Sequence, residues 1–466
     1  MNVAVVGAGP AGLGAAWKLA SRGDCTVHVF ERGACVGGNA GSFEVGGMRV
    51  DFGSHRLHPA CEPPILDDIR RFLGADLLDR PRHGRIRLQG RWIHFPLKPW
   101  DLATHLPLSF AAGAALDVVR KRLAPSNGEQ NFATVLEGGL GQTICREFYF
   151  PYAEKIWGLP AQDLHAEQAR RRVAANSASR LLRKVLSSAP WIRPRSRAGG
   201  RFFYPRRGFG QISEAYAAAA RKAGACIHLE TEVLSLEKVP QGWRLRFKIP
   251  SGEESMEAGA VFSTIPLPAL VRLMNAPAPI QEAARRLRSR AMVLIYLVLG
   301  RDRYTEFDAH YFPGPETRIT RVSEPKNYGL ASLPGWTVLC AELPCDKQDE
   351  IWSMPDSDLG ELFLRALGAV GLDNPAPVLE TVVRRLPQAY PIYTRDFFEH
   401  FHAIDSYLEG LEGVLTFGRQ GLFAHDNTHH ALRMGYAAAE CYQVGGFDRE
   451  RWREYRDAFA SHVVED

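Results

Sequence analysis

The sequence has no apolar run suited to spanning a bilayer. Its most apolar window, Leu102 to Val119, contains His105, Pro107 and Asp117, whereas a spanning helix needs about 20 consecutive, mostly apolar residues. A peripheral contact with a membrane surface stays open for that window. Cysteine is scarce and unpatterned. The chain has 8 cysteines in 466 residues and no CxxC, which excludes a disulfide framework and a cysteine-based zinc site. Such dispersed thiols read as reduced core residues of a cytoplasmic protein. No leader is expected, because the first apolar run begins at Asn2. Net charge is only +5, which does not call for a nucleic-acid partner. Repeats and low-complexity segments are absent. One shortage is local: no Asp or Glu occurs from Gln168 to Ser213, while arginines crowd the same stretch from Arg170–Arg172 to Arg206–Arg207. This is either a solvated basic face or a funnel for an anionic substrate or membrane surface.

What is present starts at the first residues. Val3 to Val6 is apolar and mostly β-branched, and reads as a buried parallel strand. Gly7, Gly9 and Gly12 follow at GxGxxG spacing. Gly7 permits the turn, Gly9 a close backbone approach to a pyrophosphate, and Gly12 tight helix packing. Pro10 and Ala11 open the next helix, whose N-terminus would face the phosphates. Thr26 to Phe30 is the second strand, with Glu31 at its end, where a carboxylate can accept from a ribose hydroxyl. The acid suits NAD and FAD equally.

Arg32, and then Gly37-Gly38-Asn39, extend the pattern to E-R-x(4)-G-G. It resembles the FAD-binding start shared by flavin amine oxidases, protoporphyrinogen oxidases and UDP-galactopyranose mutases. The resemblance implies FAD. Asp51-Phe52-Gly53-Ser54-His55-Arg56-Leu57-His58 is similar to a G-x-H-R loop of a polysaccharide-associated group of flavoproteins, where the loop packs against the isoalloxazine. Pro151 to Gly158, with Trp157, resembles a P-Y-x-x-K-x-W-G stretch of the protoporphyrinogen oxidases. Tyr204-Pro205-Arg206-Arg207-Gly208 resembles a turn before a helix in the same superfamily. Val233 matches the position whose backbone meets the adenine, and Thr264 lies in a matching T-x-P. Ala389-Tyr390-Pro391-Ile392-Tyr393 is similar to an A-Y-P-x-Y segment. The run from Gly418-Arg419 through His425, Asn427 and Thr428 resembles the third FAD motif.

These motifs imply an α/β fold. A Rossmann-type FAD domain (1–59, 201–266, 411–446) would carry a mostly helical cap (60–200), a mixed-sheet substrate region (267–410) and a C-terminal helix (447–466). The expected cofactor set is Gly7, Gly9, Pro10, Ala11, Gly12, Glu31, Arg32, Gly38, Asn39, Gly53, Ser54, His55, Val233, Thr264, Gly418, Arg419, Asn427 and Thr428. The expected substrate set is Arg56, Trp157, Tyr204, Arg207, Tyr390, Tyr393 and His425. His55 would orient substrate or tune the flavin, and Arg419 would stabilise negative charge on the reduced ring. No metal site is expected, since His425, His429 and His430 show no carboxylate at ligand spacing. The implied function is an FAD-dependent oxidoreductase acting on a small, anionic or sugar-linked substrate. The alternative is a redox-neutral sugar-nucleotide mutase, with Arg170, Arg171, Arg206, Arg207 and Arg419 available for a diphosphate. Phe423, His425 and His429 depart from the mutase pattern there.

Overall fold

The structure is a computed structural model that describes residues 1–96, 105–107, 109–110, 112–114, 116–117, 130–172, 200–329, 334–373, 376–443 and 446–464. Five parallel strands form the first sheet, in the order Val414–Thr416, Ala260–Ser263, Asn2–Val6, Thr26–Phe30 and Cys226–His228. The apolar run at the N-terminus makes the central strand because both its faces are covered. Val3 and Val5 pack with the helices Pro10–Ala20 and Thr428–Glu440. Ala4 and Val6 pack with the antiparallel meander over 232–258 and with the helix Phe397–Glu409. A strand buried on both faces reads as continuous apolar sequence. The register pairs Val6 with Phe30 and with Ser263, so three strands end together, at Gly7, Glu31 and Thr264. Ligands bind in such a crevice at the carboxyl ends of open α/β sheets.

The second sheet has seven strands, in the order Val378–Ile392, Arg288–Leu299, Thr337–Cys345, Arg321–Ser323, Ala309–Tyr311, Gly84–Leu88 and Arg91–Phe95. Alternation along Arg288–Leu299 decides what each face meets. Met292, Leu294, Tyr296 and Val298 join the core of the nucleotide domain. Val293, Ile295, Leu297 and Leu299 pack with Phe363 and Leu367 of the helix Asp356–Ala369. The sheet therefore stands directly against the nucleotide domain.

The stretch 60–200 is not one helical layer. Its hairpin Gly84–Leu88 and Arg91–Phe95, turning at Gln89-Gly90, completes the mixed sheet. Its strand Leu77–Pro81 pairs with Arg201–Pro205. The helices Pro63–Leu73, Phe132–Leu140, Phe150–Trp157 and Ala166–Arg172 are its longer described helices. The helical run that starts at Phe132 breaks at Gly141, held at φ 86°. Before it, Asn131 caps the first helix by accepting from the Thr134 amide at 2.9 Å. Parts of the window Leu102 to Val119 (102–104, 108, 111, 115 and 118–119) and residues 173–199 of the basic segment fall outside the described residues. Among the described residues, no helix is long and apolar enough to cross a membrane.

Candidate functional site

A cleft of about 640 Å³ runs from the glycine loop to the mixed sheet. At one end stand Gly7, Gly9, Pro10, Ala11, Glu31, Arg32 and Val233. Gly7 has φ +105°, and a Cβ on Gly12 would lie 2.0 Å from the Gly7 carbonyl oxygen. Only glycine lets the helix sit this close to the loop. Gly12 therefore acts behind the wall, while a Cβ on Gly9 would meet no protein atom within 4 Å. No side chain caps the helix at Gly9, which leaves its N-terminal partial charge facing the cleft. The Glu31 carboxylate accepts from the amides of Ala8 and Gly33, each at 2.9 Å. Two acceptor positions of that carboxylate remain.

The middle of the wall comes from three separate segments. Gly38 and Asn39 leave the second strand, and the Asn39 amide donates to the Gln388 carbonyl at 3.1 Å. Thr264 donates from its hydroxyl to the Val6 carbonyl at 3.1 Å. Gly418, Arg419, Asn427 and Thr428 close this part of the wall.

The far end is built from the loop after Asp51 and from the mixed sheet. Ser54, His55, Arg56, Arg321, Glu342 and Tyr390 line it. The Ser54 amide donates to Glu342 at 2.8 Å. Arg56 donates to Asp308 at 3.1 Å and to the Tyr311 hydroxyl at 3.2 Å. His55 Nε2 lies 3.0 Å from the Phe52 carbonyl oxygen. A carbonyl only accepts, so Nε2 carries the proton. Burial lowers the His55 pKa, partly offset by Asp51 and Glu342. The neutral ring then presents Nδ1 as an acceptor.

Two arginines meet at Tyr390. The guanidinium carbons of Arg172 and Arg419 lie 5.5 and 5.3 Å from its ring centroid. Arg419 donates to the Ala389 carbonyl at 2.6 Å, while its Nε is buried without a partner. Burial, and then Arg172, lower the Arg419 pKa. Neither arginine forms an ion pair with a carboxylate among the described residues. Sequence reasoning placed Arg172 in the basic run without singling it out. It missed Arg321 and Glu342 altogether, which carry no local motif.

Several expected substrate residues lie off this wall. Tyr204 is fully buried and donates to Asp51 at 2.7 Å, in the core between the domains. Trp157 packs edge-on against Phe132 in the helical layer. Tyr393 stacks on Phe397 at 4.1 Å and donates to the Phe423 carbonyl at 2.9 Å. His425 is buried against Gln168 at 2.7 Å, and burial, Arg172 and Arg419 hold its pKa well below the ordinary value. Gly53 sits behind Ser54, donating to the Tyr296 hydroxyl. Arg207 is exposed and does not reach the cleft. Of the five arginines expected for a diphosphate, only Arg419 lines the cleft. Arg206 faces Asp76, and Arg170 and Arg171 face Glu167.

Residues 10–440 match the family of flavin containing amine oxidoreductases. The chain belongs to that family. A curated relative, phytoene dehydrogenase of Streptomyces griseus, is 27% identical over 311 residues. That match takes in 59% of this chain and 56% of the relative's length, so the chain spans little more than half of that protein. Among solved structures, a reduced UDP-galactopyranose mutase superposes with a TM-score of 0.77 at 19% identity, covering 94% of this chain and 93% of the other. A proposed protoporphyrinogen oxidase from Exiguobacterium sp. 255-15 gives 0.72 at 19% identity, covering 94% and 98%. At such identities the structural likeness concerns the fold.

The cofactor of this family member is FAD. Its residues fit one: the uncapped helix N-terminus, the space left open at Gly9 and the strand-end carboxylate of Glu31 are suited to a dinucleotide.

Proposed function

We propose that the chain is an FAD-dependent oxidoreductase whose small substrate carries an anionic group, seated between Arg172 and Arg419 beside Tyr390. The two guanidiniums over one ring, without a carboxylate partner, carry this reading. Like charges crowded in a buried place are costly unless an anion meets them. Bound FAD supplies the hydride acceptor. Gly9 to Ala11 would hold its pyrophosphate, Glu31 and Arg32 its adenosine ribose, and Val233 its adenine. Gly38, Asn39, Thr264, Gly418, Asn427 and Thr428 line the path to the reacting end. There His55 orients the substrate through Nδ1, Arg56 and the Arg321–Glu342 pair hold the floor, and Arg419 offsets negative charge.

The unpaired arginines also suit a diphosphate, which supports a second reading as a redox-neutral sugar-nucleotide mutase. Anaerobic single-turnover assays separate the two. An oxidase-type enzyme bleaches its flavin as an anionic substrate is consumed. A mutase converts a sugar nucleotide only after prior reduction, with no net change of the flavin. In either case Arg172→Ala should weaken substrate binding roughly 10- to 100-fold, the scale of a lost charge-assisted hydrogen bond. It should also flatten the dependence on ionic strength and leave FAD content intact. Turnover of a neutral substrate, unaffected by salt or by Arg172→Ala, overturns the anionic reading.

A further inference from the structure

Asp426, His430 and His462 meet at the edge of the cleft, apart from the residues given roles above. Asp426 precedes the helix Thr428–Glu440, His430 lies in its first turn, and His462 follows the helix Arg449–Ala460. Asp426 Oδ1 is 3.2 Å from His430 Nδ1 and 3.0 Å from His462 Nδ1. The three ligating atoms all lie within 4.8 Å of one another. The two imidazoles stack at 4.1 Å. Asp426 is 5% exposed, and its second oxygen, Oδ2, is buried with no partner.

Nδ1–H groups of the two histidines can satisfy Oδ1 but leave Oδ2 without a donor. His430 Nδ1 also lies 3.3 Å from the Asn427 amide, a donor. An Nδ1 that accepts there has a lone pair, and the same lone pair then opposes a carboxylate oxygen. A cation removes the conflict by taking that lone pair in place of the Asn427 amide. Ligand atoms at about 2.0–2.1 Å from a tetrahedral zinc are separated by about 3.3 Å, close to the 3.2 and 3.0 Å contacts of Asp426 Oδ1. Two imidazole nitrogens with one carboxylate oxygen are a donor set suited to zinc and its first-row neighbours. The nearby Arg171 is compensated by Glu167 at 2.8 Å.

We infer that Asp426, His430 and His462 bind a divalent first-row cation, with a further position open to water from the cleft. The ligands lie in or beside two helices, so the ion clamps the segment after Ala460 onto the helix that Asn427 and Thr428 open. The same segment is also tied to the helix Ala166–Arg172, by the Val464 amide donating to the Arg171 carbonyl at 2.8 Å. The histidine run seen in the sequence thus divides: His425 turns to Gln168, and His430 finds its carboxylate in Asp426.

The test uses the full-length, FAD-loaded protein, stripped with a chelator and dialysed against zinc alone. Elemental analysis should return about one zinc per chain, and the melting temperature should rise. His462→Ala and His430→Gln should each weaken zinc binding by more than about 100-fold, beyond the roughly 10- to 100-fold that the loss of an outer-sphere contact causes. His402→Ala, at an exposed histidine elsewhere, should retain the metal. FAD content of His462→Ala, unchanged from wild type, would show that the variant folds. Wild type holding no zinc after dialysis, or both variants holding as much as wild type, overturns the site and leaves a cluster joined by protons alone.

Discussion

Arg321 lies along the Glu342 carboxylate on the cleft floor, its Nη2 2.7 and 2.8 Å from the two oxygens and its Nε 2.9 Å from Oε1. The two side chains are 14% and 5% exposed, so each is the other's main compensation. Glu342→Ala should therefore destabilise the protein by about 3–5 kcal/mol, because it strands a buried guanidinium. Arg321→Met combined with Glu342→Leu should recover most of that loss. Urea unfolding of the two variants checks the order; a double variant weaker than the single one contradicts it.

Gly9 and Gly12 should separate cofactor binding from folding. Gly12→Ala drives a methyl group into the Gly7 carbonyl, and overpacking of this kind costs about 1–3 kcal/mol or more. Gly9→Ala meets open space, so the protein should fold normally and bind FAD more weakly. Thermal melts of the apoproteins beside flavin titrations read the two effects apart. Equal melting temperatures for both variants would refute the packing argument.

Glu31 has a structural duty besides the ribose role proposed for it. It holds the Ala8 and Gly33 amides. Glu31→Ala should weaken FAD by about 1–3 kcal/mol and should also lower the stability of the apoprotein by about 1–3 kcal/mol, the cost of leaving such donors unsatisfied. An apoprotein as stable as wild type would mean that water replaces the carboxylate there.

Stability should fall on mild acidification. His310 is fully buried, its Nδ1 accepts from Arg85 at 2.8 Å, and burial, then Arg85, lower its pKa to about 3. The unfolded value is about 6.5. Above it neither state holds the proton. Below it the unfolded chain takes up a proton that the folded chain refuses, so stability drops from about pH 6.5 towards about 3. One such group contributes a slope of about 1.4 kcal/mol per pH unit. His310→Gln should be less sensitive to pH by that slope when unfolding free energies at pH 7 and pH 5 are compared. Identical pH dependence would mean that the His310 ring titrates normally.

The nucleotide end of the cleft was legible because its parts are local. A strand, three glycines, a helix and a strand-end acid lie within 31 residues, and backbone sterics tie each residue type to its place. The far end was legible only in pieces. Ser54, His55 and Arg56 stood out, but Ser54 meets Glu342 across 288 positions. Tyr204 and Tyr393 stood out too, yet both are buried with their hydroxyls committed to Asp51 and the Phe423 carbonyl. An aromatic in a motif does not say which way its ring will face.

By itself the sequence determined the first two strands of the parallel sheet with the glycine turn between them, a mixed-sheet region after them, and the resemblance to flavin enzymes. Periodicity and turn chemistry act over a few residues and survive without knowledge of partners. Tertiary structure alone decided that the hairpin Gly84–Leu88 and Arg91–Phe95 completes the mixed sheet. It alone chose Arg172, from a long basic run, to face Tyr390, and brought His462 to Asp426. Those outcomes depend on which surfaces bury one another, and burial sets the cost of every charge it encloses.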